Sequence, residues 1–183
     1  MKKIMTLIFI CLLFSCKPKS PESKKDSKIT IENEEDYIDI LGVFERNELN
    51  TYPHSEWFEE NYDNYLLDEE TAKKIKPLID DVEITAFMGT WCTDSRRDSP
   101  AFFKLMDFLD FKDHKLKLIA MSLEKTTPDS LEKGLEIYNI PTFIFKKDGK
   151  EINRIVEFPI ETIEKDIFKI LNGEGYKNAY ADF

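Results

Sequence analysis

The stretch from Ala86 to Pro100 constrains this chain more than any other. A short apolar run, Thr85-Ala86-Phe87-Met88, leads into Gly89-Thr90-Trp91-Cys92-Thr93-Asp94-Ser95, and Ala101, Phe102, Leu105, Met106 and Leu109 follow at spacings of three and four. The run reads as a buried strand and the spacing as one face of a helix. Strand, tight turn and helix therefore meet at Cys92, at or just before the helix N-terminus. Unpaired backbone N–H groups and the positive end of the helix dipole stabilise an anion there. A thiol in that place is expected to ionise more readily than a free one, and the thiolate is the reactive form.

The rest of the chain supplies what that unit needs. Ile38 to Phe44 reads as a strand, Tyr52 to Phe58 as a turn entering a short helix, and Asp68 to Ala72 as the acidic start of a better helix that Pro77 closes. Val82 to Met88 reads as the first central strand and Ser95 to Leu109 as the helix after Cys92, with a kink expected at Pro100. Lys115 to Met121 reads as a parallel strand. Asp129 or Ser130 is predicted to cap a helix running to Tyr138, with Leu131, Leu135 and Tyr138 on one face. Thr142 to Lys146 and Glu151 to Glu157 read as a hairpin around Asp148-Gly149, and Pro159 to Leu171 as the last helix. Gly173 to Phe183 shows no usable period.

Two segments carry a resemblance to a known family. Trp91-Cys92-x-x-Ser95 after a strand resembles the active-site turn of the thioredoxin superfamily, whose usual form is Trp-Cys-x-x-Cys. Asn139-Ile140-Pro141-Thr142-Phe143-Ile144-Phe145-Lys146-Lys147-Asp148-Gly149-Lys150 resembles that family's cis-proline strand, turn and following strand. The resemblance covers about residues 82–171. It implies an α/β, thioredoxin-like fold: a central mixed sheet flanked by helices, with a core over 81–172 and an N-terminal strand/helix extension over 29–80. It further implies a cis Ile140–Pro141 bond facing Cys92 across a groove, with Ile140, Pro141 and Thr142 binding substrate. Cys92 is then the nucleophile, Trp91 a groove-side platform, and Ser95 stands where the resolving cysteine would be.

The N-terminus reads as a targeting segment. Lys2 and Lys3 precede an apolar run from Ile4 to Phe14, too short to span a bilayer as a mature helix. Leu13-Phe14-Ser15-Cys16 resembles the bacterial lipoprotein cleavage box, which implies a signal peptide over 1–15 and lipidation of Cys16. The polar, Pro- and Ser-containing residues 16–28 read as a flexible tether, leaving 29–183 as the folded domain. The expectation is an exported bacterial lipoprotein, anchored to a membrane in the cell envelope or periplasm.

Cysteine usage then narrows the chemistry. Of 3 cysteines, Cys11 lies in the signal and Cys16 would carry lipid, so Cys92 is the single thiol expected in the mature domain. A net charge of −10 argues against nucleic acid as a partner. His54 and His114 have no spaced partners and read as packing or surface residues, so neither a metal nor a cofactor is expected. Arg96 and Arg97 would favour a nearby thiolate and Asp94 would disfavour it. Where the family often carries a strand carboxylate six residues before the first cysteine, this chain has Ala86.

A dithiol site attacks a disulfide with one thiolate and resolves the mixed disulfide with the second. Ser95 can hydrogen-bond a sulfur but cannot resolve in this way. The sequence therefore points to a thiol–disulfide oxidoreductase or isomerase of monothiol type, acting on protein or small-molecule thiols and disulfides and needing an external reductant thiol. The alternative is a redox-inactive thioredoxin-fold module that keeps the groove for binding or a chaperone-like role.

Overall fold

The computed structural model describes residues 38–182. The expected signal peptide, the tether with Cys16, and residues 29–37 lie outside the described residues. Five strands form one sheet: β1 (Gly42–Phe44), β2 (Val82–Met88), β3 (Leu116–Ala120), β4 (Thr142–Lys147) and β5 (Lys150–Val156). Their order is β1-β3-β2-β4-β5. β3 runs parallel to β2, while β1 on β3, β4 on β2 and β5 on β4 are antiparallel. Four helices accompany them: α1 (His54–Asn64), α2 (Glu69–Ile75), α3 (Thr93–Phe108) and α4 (Ile163–Asn172). The N-terminal extension thus adds an edge strand and two helices to the central sheet.

Local chemistry sets the ends of these elements. Asp68 caps α2 by accepting the Thr71 N–H and hydroxyl, with Glu69 and Glu70 in the first turn and Lys73 and Lys74 in the last. Pro77 sits in the 3-10 turn that follows, Lys76–Leu78. Thr162 caps α4, and Gly173 ends it at φ 78, the left-handed conformation that glycine adopts without a Cβ penalty. Asp148 and Gly149 at φ 50 and 70 make the tight β4–β5 hairpin turn. α3 continues through Pro100.

Side chains alternate across the sheet and build two cores. Ile84, Ala86 and Met88 of β2, Leu118 and Ala120 of β3, and Phe143 and Phe145 of β4 face one way. They pack with Phe58 of α1, Ala72 and Ile75 of α2, Phe102 and Phe103 of α3, and Ile163 and Ile167 of α4. Phe102 stacks on Phe143 with ring centroids 4.4 Å apart. The alternate residues, Phe87, Ile119 and Ile144, face the other way and form a smaller cluster with Cys92, Met121, Ile137 and Ile140. Trp91, Leu131 and Leu135 pack against that cluster.

Three expectations need correction. The helix predicted from Asp129 or Ser130 to Tyr138 is a series of turns, with Ser130, Gly134 and Glu136 at φ 54, 75 and 53. Thr127 competes with the helix: its hydroxyl accepts the Leu131 N–H at 2.8 Å and donates to the Glu132 carboxylate at 2.7 Å. Leu131 and Leu135 still pack inward, but Tyr138 is 73% exposed. The strand read over Ile38 to Phe44 pairs only from Gly42, whose φ of 83 breaks the extended run. The last helix begins at Ile163 rather than Pro159, because the Asp166 carboxylate takes the Ile160 and Glu161 N–H groups.

Candidate active site

Cys92 is the N-cap of α3, at φ −84 and ψ 124. Its N–H donates to the Gly89 carbonyl at 3.0 Å, closing the turn, and its own carbonyl accepts the Arg96 N–H at 2.9 Å, starting the helix. The sulfur points along the small-cluster face of the sheet, 3.5 Å from the Ile140 carbonyl oxygen. The Ile140–Pro141 bond is cis. The fold thus brings Cys92 together with the Ile140–Pro141 loop, and Cys92 is 9% exposed there.

The other residues singled out by the sequence are held by specific bonds. Ser95 is fully buried, and its hydroxyl oxygen accepts the Gly89 N–H at 3.1 Å. It therefore ties the first turn of α3 back to the end of β2. The Trp91 indole N–H donates to the Met121 carbonyl at 2.8 Å, which leaves the ring half-buried at the edge of the small cluster. Thr142 is buried, and its hydroxyl donates to the Asn139 carbonyl at 2.6 Å, bracing the proline loop from inside. Ile140 and Pro141 are buried as well.

Gly89 is required by proximity. A Cβ there would lie 2.7 Å from Trp91 Nε1 and 2.9 Å from Ile140 Cδ1. The signal in the sequence was a glycine two residues before a tryptophan, and it was read only as part of the turn.

The charges near Cys92 are largely engaged with one another. The Arg96 Nε–H donates to the Thr90 carbonyl, and its guanidinium lies 5.7 Å from the Trp57 ring centroid. Arg97 bridges Asp94 at 2.7 Å and Asp98 at 2.8 and 2.7 Å. Its bond to Asp98 holds the guanidinium firmly in its charged form. Burial pushes the Asp98 carboxyl up, and the Arg97 bond opposes that shift.

Behind the turn lies a set of residues that sequence reasoning did not assemble. The Thr90 hydroxyl donates to Asp39 at 2.7 Å, and the Ile40 N–H donates to the same hydroxyl oxygen at 3.2 Å. His54 is buried beside them, and burial pushes its imidazole pKa down, while Asp39 opposes the shift and Arg96 adds to it. His114 is on the surface. Among the described residues, Cys92 is a free cysteine, and no three His, Cys, Asp or Glu side chains converge to hold a metal ion.

A cavity of about 1040 Å³ opens at the other end of β2 and β3, where Ile84, Phe103, Met106 and Leu116 form part of its lining. Cys92 does not line it. Two of its charged lining residues, Arg46 and Asp107, pair with each other.

Strand order, helix placement and a cysteine turn at the end of β2 beside the Ile140–Pro141 loop together make this a thioredoxin-like α/β protein. Residues 45–168 match the thioredoxin family, and the chain belongs to it. A search of curated proteins finds no match. Among solved structures, the chain is similar to a protein of unknown function from Pseudomonas aeruginosa, at 14% identity and a TM-score of 0.48, over 66% of this chain and 82% of that one. It is also similar to the germline-specific thioredoxin Deadhead from Drosophila melanogaster, at 17% identity and a TM-score of 0.32, over 48% and 79% of the two chains. Mitochondrial thioredoxin 3 from Saccharomyces cerevisiae is 25% identical with a TM-score of 0.32, over 52% and 86%. Family membership supports a redox role toward thiols or disulfides in general.

Proposed function

We propose that the protein is an exported, membrane-anchored thiol–disulfide oxidoreductase or isomerase that works through one nucleophile, Cys92. The observation that carries this reading is the placement of the Cys92 sulfur at the start of α3, 3.5 Å from the Ile140 carbonyl, with Ser95 where a second thiol would resolve. The Cys92 thiolate attacks one sulfur of a disulfide, the S–S bond breaks, and the far sulfur leaves as a thiolate. An external thiol then attacks the substrate sulfur of the mixed disulfide and frees Cys92, and a second equivalent completes the reduction. If a second cysteine of the substrate attacks instead, Cys92 is regenerated with a rearranged disulfide and no reductant is consumed. The substrates are protein or small-molecule disulfides.

Changing Ser95→Cys tests the reading. The wild type is expected to accumulate mixed disulfides with a model disulfide when no small thiol is supplied. The variant is expected to release them and oxidise internally, and Cys92→Ser to form none, as seen on non-reducing gels over time. Absence of any wild-type adduct above about pH 8.5, where an unperturbed thiol is largely ionised, would overturn it. One observation favours a second reading, a redox-inactive binding or chaperone-like module: Cys92 is only 9% exposed. That module would leave Cys92 inert to alkylation in the folded protein.

Anchoring rests on Leu13-Phe14-Ser15-Cys16. Mass spectrometry of membrane-extracted protein should find a lipidated Cys16 as the first residue, and an unmodified N-terminus elsewhere would remove the anchor.

A further inference from the structure

The segment after α4 has no helical or strand period, and the chemistry above uses none of it. Yet it is fastened at two tyrosines. Tyr176 is buried, its hydroxyl donates to Asp166 at 2.9 Å, and its carbonyl accepts the Asn153 side-chain amide at 2.8 Å. The Tyr180 hydroxyl bonds the Glu157 carboxylate, and its ring meets Phe158 edge-on with centroids 6.4 Å apart. Asp166, also fully buried, accepts the Ile160 and Glu161 N–H groups. These attachments therefore converge on residues 157–161, the loop between β5 and α4.

The other side of that loop reaches the candidate site. The Glu157 N–H donates to the Pro141 carbonyl at 2.7 Å, and the preceding residue, Ile140, presents its carbonyl to the Cys92 sulfur. A path of contacts runs from Tyr180 through Glu157 and Pro141 to Cys92. Glu157 has φ 65, a conformation disfavoured for any residue with a Cβ, so it persists only where its surroundings hold it. Phe158 and Ile160 stand 42% and 51% exposed on the same loop.

We propose that Tyr180 is a positioning residue: the C-terminal segment fixes the 157–161 loop as a wall of the Cys92 groove and so favours protein disulfides over small-molecule ones. This rests on the redox reading above and follows the same exchange step, with no further reactant. A polypeptide flanking the attacked sulfur extends past Pro141 to Phe158, whereas a small disulfide meets only the neighbourhood of Cys92.

The test uses the full chain with Tyr180→Ala, Tyr180→Phe and Glu157→Gln. Rates of Cys92 adduct formation are measured with 2,2′-dipyridyl disulfide and with a short apolar peptide carrying the same pyridyl disulfide on a central cysteine, so that the leaving group is constant. Tyr180→Ala should slow the peptide reaction about threefold to tenfold, the effect of losing one ordinary net hydrogen bond, and leave the small disulfide within about twofold. Tyr180→Phe and Glu157→Gln should fall between. Amide exchange should quicken at Glu157, Ile160 and Glu161 in Tyr180→Ala and stay unchanged in α3. Equal slowing of both reagents, or no slowing of the peptide, would overturn the inference. A wild type that reacts with neither reagent removes the redox reading itself and this inference with it, and that outcome is read without any variant.

Discussion

The two faces of the sheet are built by different means. One carries all four helices and a core that includes Phe102, Phe103, Phe143 and Phe145. The other holds Cys92 over a small cluster, covered by the turns of residues 127–140 and the Trp91 ring. Further toward the start of β2 on that second face, Glu83 and Lys117 are exposed and Thr85 and Lys146 half-buried. The larger apolar core therefore lies on one side and the Cys92 sulfur on the other. The sulfur is covered by turns rather than a helix, a kind of cover that opens locally at lower free energy than a packed helix.

Substitutions on the two sides should separate these roles. Phe102→Ala, which empties a site stacked on Phe143, should cost about 3–5 kcal/mol in urea denaturation. A loss no larger than those on the Cys92 side would erase the asymmetry. Gly89→Ala, which drives a methyl into Trp91 and Ile140, should cost about 1–3 kcal/mol and shift the Trp91 fluorescence. An unchanged spectrum would mean that the indole does not lie where the structure puts it. Thr127→Val removes the hydroxyl that organises the turns and should cost about 1–2 kcal/mol. Amide exchange should then quicken over residues 127–140 while β2 stays protected.

The smallest effect is expected from pH, at the junction between the two faces. Burial holds the folded pKa of His54 below its ordinary 6.5. Well above pH 6.5 the imidazole is neutral in both states and the stability is fully present. As pH falls below that value the unfolded chain takes up a proton that the folded one resists, and stability is lost. Glu48 and Asp39 oppose this and Arg96 reinforces it. The loss between pH 7.5 and 5.5, compared by urea midpoint, should be smaller in His54→Gln than in the wild type.

What the sequence disclosed follows from how local each signal is. β2 spans Val82–Met88 as read, because an apolar run stopped by Gly89 leaves little choice. The hairpin at Asp148-Gly149 and the acidic helix start at Asp68 are also local. The turns over 129–138 were misread because Leu131, Leu135 and Tyr138 keep helical spacing, while the Thr127–Glu132 bond that defeats the helix has no periodic trace. At the candidate site, Cys92 and Ile140 were paired by family resemblance rather than by spacing. Thr90, Asp39 and His54 went unassembled because Thr90 and Asp39 lie 51 positions apart and neither stands out alone. The C-terminal segment has no period, and its tyrosines' partners, Asp166 and Glu157, lie in an earlier helix and loop.

The bonds from Asp39 and Ile40 to Thr90 also have a mechanical meaning. Asp39 and Ile40, just ahead of β1 in the chain, are moored to Thr90, two positions before Cys92. A pull applied at Asp39 would thus load the cysteine turn before it loads the sheet. β1, paired to β3 a few residues downstream, would bear tension only after those two moorings had parted.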